Sequence, residues 1–211
     1  MKHEIIPAIL AKTSADARAK FAVLPATVEC VQLDVLDGTL YRASSWHDAN
    51  VIRTWHIRPR IELHIMTRDP KTVVASWLSV PNLARVIWHV EAPVDHAWLA
   101  AHLHHRGIDV GLAIAPGTRI DQLTPYVEDV DMILVLGVHP GKSGQHKLSH
   151  TYERIDAVRE QARLPIGLDG GVTLGALDAC VRHKVSRIYT ASALFETPDV
   201  PTTYANMRAR V

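Results

Sequence analysis

Short apolar segments recur along the chain, and a stretch with helical spacing of apolar and polar residues follows each of them. The segments are rich in Val and Ile and nearly continuous in apolar character, which is typical of strands that are buried on both faces. Eight strands are predicted in this way. They are Glu4–Leu10, Val28–Asp34, Arg60–Met66, Ala84–Val90, Asp109–Ala115, Met132–Val138, Pro165–Asp169 and Ser186–Thr190.

Helix start signals lie between several of these strands. Ser, Thr and Asp side chains cap the first turn of a helix, and proline is tolerated there because its missing N–H would have no partner. Thr13 precedes one predicted helix, Ser45 precedes the next, and Asp69-Pro70 opens a third. The predicted helices are Ala15–Leu24, Trp46–His56, Lys71–Leu78, Arg119–Val127 and Leu174–Arg182.

Strands that alternate with helices indicate a parallel sheet whose outer face is covered by those helices. Eight such units, each of about 25 residues, predict an α/β protein with one compact (β/α)8 TIM barrel over residues 1–211. A doubly wound open sheet is the alternative. The open sheet is disfavoured because no Gly-x-Gly-x-x-Gly turn follows the first strand, where Pro7-Ala8-Ile9-Leu10 stands instead.

The composition, with 47% apolar and 21% charged residues, is that of an ordinary globular protein. The 23 basic and 22 acidic residues give a net charge of +1, so charge offers no argument for nucleic acid or an anionic membrane as a partner. No apolar run approaches the ~20 residues that span a bilayer. Cys30 and Cys180 lie far apart without metal-ligand spacing. We therefore expect a cytoplasmic protein.

One predicted strand carries polar residues inside its apolar run. In Val31-Gln32-Leu33-Asp34-Val35-Leu36-Asp37-Gly38, alternation places Gln32, Asp34 and Leu36 on one face. In a closed barrel this face would point inward, where an unpaired carboxylate is costly and normally has a metal, a cation or a chemical task.

Functional residues of such barrels lie at the C-terminal ends of the strands. Glycine-bearing loops follow the sixth and seventh predicted strands, at 139–145 and 169–171, and Thr190-Ala191-Ser192 closes the eighth. Loops after the seventh and eighth strands of barrels commonly bind phosphate through backbone N–H groups and a helix N-terminus. The sequence therefore predicts a phosphate cradle on the same rim as a set of polar side chains. These side chains are Asp34, His64, His89 and Asp169.

Eight segments match, in order along the chain, the strand-end motifs of one enzyme family. They are Ile6–Leu10, Leu33–Gly38, Leu63–Met66, His89–Ala92, Gly111–Thr118, Asp131–Gly141, Leu168–Val172 and Ala191–Phe195. Each motif alone is weak, but their number and order make the match specific. On these residues the sequence resembles the ribulose-phosphate 3-epimerase family over nearly the whole chain.

The resemblance implies an isomerase that inverts C3 of a ketose phosphate such as D-ribulose 5-phosphate. One carboxylate removes the C3 proton, a second returns a proton to the opposite face, and the intervening enediolate must be stabilised. By resemblance, Asp34 and Asp169 are these catalytic acids, and with His64 they bind a divalent metal such as Zn, Mn, Mg or Fe. The substrate- and phosphate-binding residues predicted on this basis are Met66, Gly141, Ser143, Gly144, Gly170, Gly171, Ala191 and Ser192.

The sequence departs from the family pattern around the predicted metal site. A family histidine two residues before the first acid is replaced by Gln32, whose amide oxygen is a poor substitute as a zinc ligand. Asp34, His64 and Asp169 remain. They would hold zinc with a water, hold a harder ion such as Mg or Mn with several waters, or work without metal. Ala8 also replaces a family serine.

The rim loops differ as well. Leu36 replaces a family methionine, Lys142-Ser143 stand where the family has an aromatic or small residue and glycine, and Thr39–Trp46 replaces a segment with a histidine and a proline-asparagine pair. A changed rim loop beside a retained acid pair suggests altered substrate choice, for example a hexulose phosphate. A sugar-phosphate-binding barrel that has lost catalysis is the alternative from another class of function.

Other polar residues have simpler interpretations. We interpret His89 as a structural residue or as a support behind the site, and Lys142 as either a solvated loop residue or a phosphate partner. His102, His104 and His105 are interpreted as the solvated end of a helix rather than as a metal cluster.

Partners and competing enzymes follow from the same interpretation. The expected partner is a small phosphorylated sugar, with neither nucleic acid nor membrane, and exposed apolar helix faces would support a homo-oligomer. A decarboxylase or aldolase of the same barrel group is disfavoured, because the Asp-x-Lys-x-x-Asp strand signature of that group does not occur in the sequence.

Overall fold

Eight parallel strands close into a barrel in the order β1 to β8 in the structure, a computed structural model that describes residues 2–142 and 144–211. Every predicted strand is found, with ends that differ by at most two residues. The strands are β1 (Glu4–Ile9), β2 (Cys30–Val35), β3 (Arg60–Ile65), β4 (Leu83–His89), β5 (Asp109–Ile114), β6 (Met132–Leu136), β7 (Ile166–Asp169) and β8 (Arg187–Thr190).

The barrel closes where the last strand pairs with the first. Parallel pairing of β1 with β8 runs from Glu4 opposite Arg187 to Pro7 opposite Thr190. An open doubly wound sheet would leave β1 and β8 without this pairing, so the alternative fold is wrong and the (β/α)8 barrel is confirmed.

Helices surround the barrel, together with 3-10 turns at Arg53–Trp55, Ile120–Tyr126 and Leu174–Ala176. None of the helices in the described part of the chain is long and apolar enough to cross a membrane. The α-helices are α1 (Ser14–Ala22), α2 (Ala49–Ile52), α3 (Pro70–Trp77), α4 (His96–His104), α5 (Thr151–Gln161), α6 (Leu177–Arg182), α7 (Ser192–Phe195) and α8 (Val200–Arg208).

The caps of α1 and α3 are those that the sequence predicts. Thr13 Oγ1 accepts a hydrogen bond from the backbone N–H of Asp16, and Asp69 Oδ1 accepts one from that of Thr72. Each side chain satisfies a donor that the first helical turn leaves unpaired, which is worth about 1 kcal/mol.

The predicted helix over Trp46–His56 is wrong in its start. The helix begins at Ala49, because Asp48 Oδ1 accepts hydrogen bonds from the N–H groups of Asn50 and Val51 and so acts as the cap. Ser45 has a different task. Its hydroxyl donates to the carbonyl of Asp34 at 2.7 Å, which ties the rim loop to the end of β2.

The predicted helix over Arg119–Val127 is also different, because the segment forms a 3-10 helix. Pro125 lies inside it, and a proline ring removes one N–H donor and blocks the α-helical hydrogen bond at that point. The predicted helix over Leu174–Arg182 likewise begins with a 3-10 turn and becomes α-helical at Leu177.

The two faces of each strand have different environments. On β2, Val31, Leu33 and Val35 pack outward in the large hydrophobic core beneath the helices. Gln32 and Asp34 occupy the inward face, as the alternation predicts, and both are buried. Complete burial of each large outward side chain contributes about 1.5–3 kcal/mol, which makes the outward layer the main source of stability.

A buried ionic cluster fills the N-terminal end of the barrel, opposite the predicted site. Glu62, which is 2% exposed, accepts hydrogen bonds from Arg85 Nη1 at 2.6 Å, Arg187 Nη2 at 2.5 Å and the Tyr189 hydroxyl at 2.8 Å. Arg187 also donates to Glu4 at the start of β1. The carboxylate therefore ties three strands together from inside the barrel.

Replacing Glu62 with Gln is expected to lower the free energy of unfolding by about 3 kcal/mol, because two largely buried guanidinium groups lose their shared anion. Urea denaturation followed by circular dichroism measures the change. Glu128→Gln is the matched control, since Glu128 is exposed and its replacement should change stability by less than about 0.5 kcal/mol. Equal stabilities of the two variants would contradict a stabilising role for the cluster.

Candidate active site

The two predicted acids converge at the C-terminal end of the barrel. Asp34 is the penultimate residue of β2, and Asp169 is the last residue of β7. His64, on β3, pairs in register with Asp34, and its Nδ1 lies 3.1 Å from Asp34 Oδ1 and 3.3 Å from Asp169 Oδ2. Barrel closure thus brings together three residues that are far apart in sequence.

The side-chain amide of Gln32 bridges the two acids. Its Nε2 donates hydrogen bonds to Asp34 Oδ1 at 2.9 Å and to Asp169 Oδ2 at 2.8 Å. The side chain is fully buried, and its Oε1 has no hydrogen-bond partner among the residues that the structure describes. An unpaired buried carbonyl costs about 1–3 kcal/mol, and Gln32 bears this cost in the orientation that directs Nε2 to both carboxylates.

The ionisation of this cluster is strongly perturbed. Burial raises the pKa of Asp34, and the nearby charge of Asp169 raises it further, while hydrogen bonds from His64 and Gln32 lower it only in part. Burial lowers the pKa of His64, but the hydrogen bonds to Asp169 and Asp34 and the negative charges of these two residues together outweigh burial and raise it to about 9. A carboxyl group with a raised pKa is suited to carrying a proton in general acid–base chemistry.

A second layer of polar groups lies behind His64. Its Nε2 lies 3.0 Å from Nε2 of His89, and the two imidazole rings stack. His89 Nδ1 lies 3.0 Å from Glu91 Oε2 and 2.9 Å from the hydroxyl of Tyr41. His89 therefore lies behind the site, and the structure adds Glu91 and Tyr41, neither of which was predicted.

The ionisation of these groups differs from that of the acid pair. Burial lowers the pKa of His89. Burial raises the pKa of Glu91, but the interactions with His89 and the hydrogen bonds from Thr118 and the Ala115 N–H together outweigh it and bring the pKa down to about 2. Burial raises the pKa of Tyr41, and the charge of Glu91 raises it further. These directions favour a neutral imidazole and a neutral phenol beside an ionised carboxylate.

The residues present fit a divalent cation. One ligand atom from each of Asp34, His64 and Asp169 lies within 4.8 Å of the others, and this is the one such group of three or more His, Cys, Asp or Glu residues in the described chain. Two carboxylate oxygens and one imidazole nitrogen are ligands that Zn, Mn and Fe accept. The unpaired Oε1 of Gln32 would add an oxygen ligand if the amide turned over.

Three further histidines lie outside this cluster at the end of a helix, which is the place that the sequence predicts. His102 and His104 lie in the last turn of α4, followed by His105. His104 pairs with Asp131 at 2.9 Å, and none of the three belongs to a metal-binding group of the described residues.

A cleft opens above the acid pair, and most of the predicted binding residues line it. The side chain of Met66 and the backbone of the glycine loops form its walls, and the exposed Lys142 lies at its mouth. Ser143 falls outside the described residues. The predicted binding residues that line the cleft are Met66, Gly141, Gly144, Gly170, Gly171, Ala191 and Ser192.

Gly170 and Gly171 are also required by packing. Both have positive φ angles, and a Cβ on Gly171 would lie 2.5 Å from the backbone nitrogen of Lys147. A Cβ on Gly170 would lie 2.4 Å from Val138 Cγ2. The loop after β7 therefore packs backbone to backbone against the loop after β6, which shapes the floor of the cleft.

Four polar residues of the cleft were missed by sequence reasoning. Gln145 and His146 follow the glycines of the loop after β6, Thr173 follows those of the loop after β7, and Tyr189 lies on the inward face of β8. Strand alternation from Arg187 would have placed Tyr189 inward. The position of His146 beside a glycine loop was a signal that the sequence offered.

The fold and the rim together define the class of protein: a (β/α)8 barrel with an Asp-His-Asp cluster beneath a glycine-lined cleft. The model of the ribulose-phosphate 3 epimerase family matches residues 4–195, and the chain belongs to this family. The family assignment made from the eight sequence segments is therefore confirmed.

Curated relatives carry the same family name. A ribulose-phosphate 3-epimerase of Schizosaccharomyces pombe is 27% identical over 151 residues, which cover 71% of this chain and 66% of the relative. One of Chlamydia trachomatis is 28% identical and is matched over 72% of this chain and 65% of its own length. These matches thus span slightly less than two thirds of either relative. The cytoplasmic isoform of Oryza sativa is 25% identical, with 91% of this chain and 87% of the relative covered.

Solved structures with the same architecture are more distant in sequence. KGPDC of Streptococcus mutans superimposes with a TM-score of 0.74 at 9% identity, covering 100% of this chain and 97% of the other. A 3-hexulose-6-phosphate synthase of Salmonella typhimurium gives a TM-score of 0.72 at 14% identity, with 100% and 98% covered. At these identities the likeness supports the fold alone.

Proposed function

We propose that the protein is a ketose-phosphate 3-epimerase in which Asp34 and Asp169 transfer the protons. The observation that carries this proposal is the geometry of the acid pair: two carboxylates on different strands share one amide and one imidazole beneath the same cleft. Inversion at a carbon atom requires proton transfer groups on both of its faces. Two carboxyl groups from separate strands meet this requirement.

The reaction begins at the C3–H bond next to the ketone. One carboxylate takes the proton, the electrons of the C–H bond move to the carbonyl as an enediolate, and the other carboxyl group returns a proton to the opposite face. The raised pKa of Asp34 suits it to hold a proton when the reaction starts, with Asp169 as the base. The roles exchange in the reverse direction, and solvent restores the protonation of the pair.

We propose that Asp34, His64 and Asp169 hold a divalent metal. When bound, the metal supplies a Lewis acid that polarises the carbonyl and offsets the negative charge of the enediolate. The oxygen-rich set, with Gln32 in place of a nitrogen ligand, favours Mn or Mg over zinc. Nδ1 of His64 lies 3.1 Å from Asp34 Oδ1 and 3.3 Å from Asp169 Oδ2, so the three ligand atoms already face one another.

The glycine loops are proposed to bind the phosphate of the substrate. Backbone N–H groups of Gly144, Gly170 and Ser192 would donate to its oxygens, as loops after strands seven and eight commonly do in such barrels. Lys142 at the mouth of the cleft adds a positive charge. Met66 would pack against the carbon chain of the sugar.

D-Ribulose 5-phosphate is the proposed substrate, since the curated relatives are named ribulose-phosphate 3-epimerases. The changed loop over Thr39–Trp46 favours a hexulose phosphate as the second candidate. We further propose that one barrel domain over 1–211 carries the whole site and that the protein works in the cytoplasm, as the name of the Oryza sativa relative indicates for that protein.

Proton NMR in D2O tests the proposal. Purified protein with D-ribulose 5-phosphate, assayed without metal and with Zn, Mn or Mg, is expected to replace the C3–H signal with deuterium and to form the C3 epimer. Exchange only with D-fructose 6-phosphate would support the hexulose alternative. Saturable binding of ribulose 5-phosphate without exchange under any condition would contradict the enzyme and support a binding protein.

A further inference from the structure

A chain of three hydrogen-bonding side chains runs from the fourth strand to the acid pair. Glu91 Oε2 lies 3.0 Å from His89 Nδ1, His89 Nε2 lies 3.0 Å from His64 Nε2, and His64 Nδ1 faces the two aspartates. His89 and His64 are 0% and 1% exposed, so water does not compete for these contacts.

Glu91, the acceptor at the far end, determines which atom donates in each of these hydrogen bonds. Glu91 is a carboxylate and only accepts, so the proton on His89 lies on Nδ1. The neutral, buried His89 then presents a lone pair at Nε2, and it accepts a hydrogen bond from Nε2–H of His64. Two Nε2 atoms 3.0 Å apart leave room for one proton between them.

We propose that Glu91 and His89 are positioning residues that keep a proton of His64 on Nε2. As a consequence, Nδ1 of His64 is the nitrogen that gives up its proton and offers its lone pair when a cation is held with Asp34 and Asp169. The inference deepens the proposed function, since it rests on the metal site proposed there. Neither residue lines the cleft, so both act through His64.

The two carboxylate oxygens of Glu91 have different partners, so the direction of hydrogen-bond donation can be tested by substitution. Its Oε1 accepts a hydrogen bond from the backbone N–H of Ala115 at 2.9 Å, while its Oε2 faces His89 and the hydroxyl of Tyr41. A backbone N–H cannot reverse, whereas an imidazole can move its proton to the other nitrogen.

Glu91→Gln is therefore expected to reverse the donor and acceptor of each hydrogen bond between residue 91, His89 and His64 without moving the side chains. The amide has one acceptor, which Ala115 N–H claims, so the NH2 group faces His89 Nδ1. His89 must then accept at Nδ1 and carry its proton on Nε2. That proton donates to Nε2 of His64, so His64 keeps its one remaining proton on Nδ1, where it blocks a cation.

Two measurements on the full chain test this. Long-range 1H–15N NMR of the metal-free protein, with 15N-labelled histidine, is expected to show His89 as the Nδ1–H tautomer in the wild type and as the Nε2–H tautomer in Glu91→Gln. Titration calorimetry is expected to show Mn2+ binding that is about 10–100-fold weaker in the variant, the range for loss of a group that orients a metal ligand.

Tyr41→Phe is the matched control. It removes a hydroxyl that touches the same two groups, His89 Nδ1 and Glu91 Oε2, but leaves the carboxylate in place. The His89 tautomer should stay on Nδ1, and Mn2+ affinity should change by less than about threefold. Equal thermal unfolding temperatures of the variants exclude an effect through folding.

An unchanged His89 tautomer in Glu91→Gln would overturn the inference, and so would a reversed tautomer with unchanged Mn2+ affinity. The NMR experiment needs no metal. Absence of Mn2+, Mg2+ and Zn2+ binding in the wild type would therefore contradict the proposed metal site and its cation role for His64, while the tautomers still decide whether Glu91 orients the two histidines.

Discussion

Asp169→Asn is expected to lower the rate of C3 epimerisation by about 10³-fold, within the 10²–10⁴ range that one positioned proton-transfer group supplies. The amide keeps the size of the side chain, so the barrel should fold as before. It no longer offers a carboxylate that takes or returns a proton at one face of the substrate.

The same variant makes a sharper prediction in D2O. Asp34 remains on the opposite face, so residual exchange of C3–H should be confined to the one epimer whose C3–H bond points toward Asp34. Proton NMR of each epimer, supplied separately, measures this asymmetry. The wild type is expected to exchange both.

Asp37→Asn is the matched control for this prediction. Asp37 is an exposed rim residue whose Oδ1 accepts from the N–H and the hydroxyl of Thr39, so it makes the same acid-to-amide change away from the cleft. Its rate should stay within about twofold of the wild type. Activity of Asp169→Asn within tenfold of the wild type, or equal exchange of both epimers, would remove Asp169 from the mechanism.

Gln32→His is expected to tighten Zn2+ binding by at least about tenfold and to shift the preference of the site from Mn2+ toward Zn2+, because it adds an imidazole nitrogen to two carboxylates and His64. The substitution also removes the Nε2 donor that bridges Asp34 and Asp169, so the carboxylates regain oxygen atoms for the ion. Chelator competition measures both affinities.

The visible spectrum of the Co2+-loaded protein gives an independent reading of this prediction, since a fourth protein ligand changes the coordination of the ion. Gln122→His is the control, because it makes the same substitution at an exposed position of the 3-10 helix between β5 and β6. Should Gln32→His and Gln122→His have the same Zn2+ affinity, Gln32 does not border a metal site.

The strands were predictable because their signal is local. In residues 30–35 the outward residues Val31, Leu33 and Val35 are all apolar, so the segment is recognisable in the sequence whichever strands lie beside it. The helix starts were predictable only where the capping side chain had no stronger partner. Thr13 caps α1 as expected, whereas Ser45 bonds to the end of β2 and leaves the capping of α2 to Asp48.

The identity of the candidate acids was also predictable from the sequence. A carboxylate at the C-terminal end of each of two predicted strands placed Asp34 and Asp169 on one rim, and eight ordered motifs pointed to the family. Their catalytic roles stay predictions that the two variants above test.

What the order of residues could not supply is which polar groups pair across the barrel. Gln32 and Asp169 are separated by 137 positions, and their contact depends on the closure of β1 against β8 and on the register of each strand. The contact between His64 and His89 was hidden for the same reason. Apolar periodicity is written into each segment, whereas a hydrogen bond between distant strands exists only once the whole barrel has set the distance and angle between them.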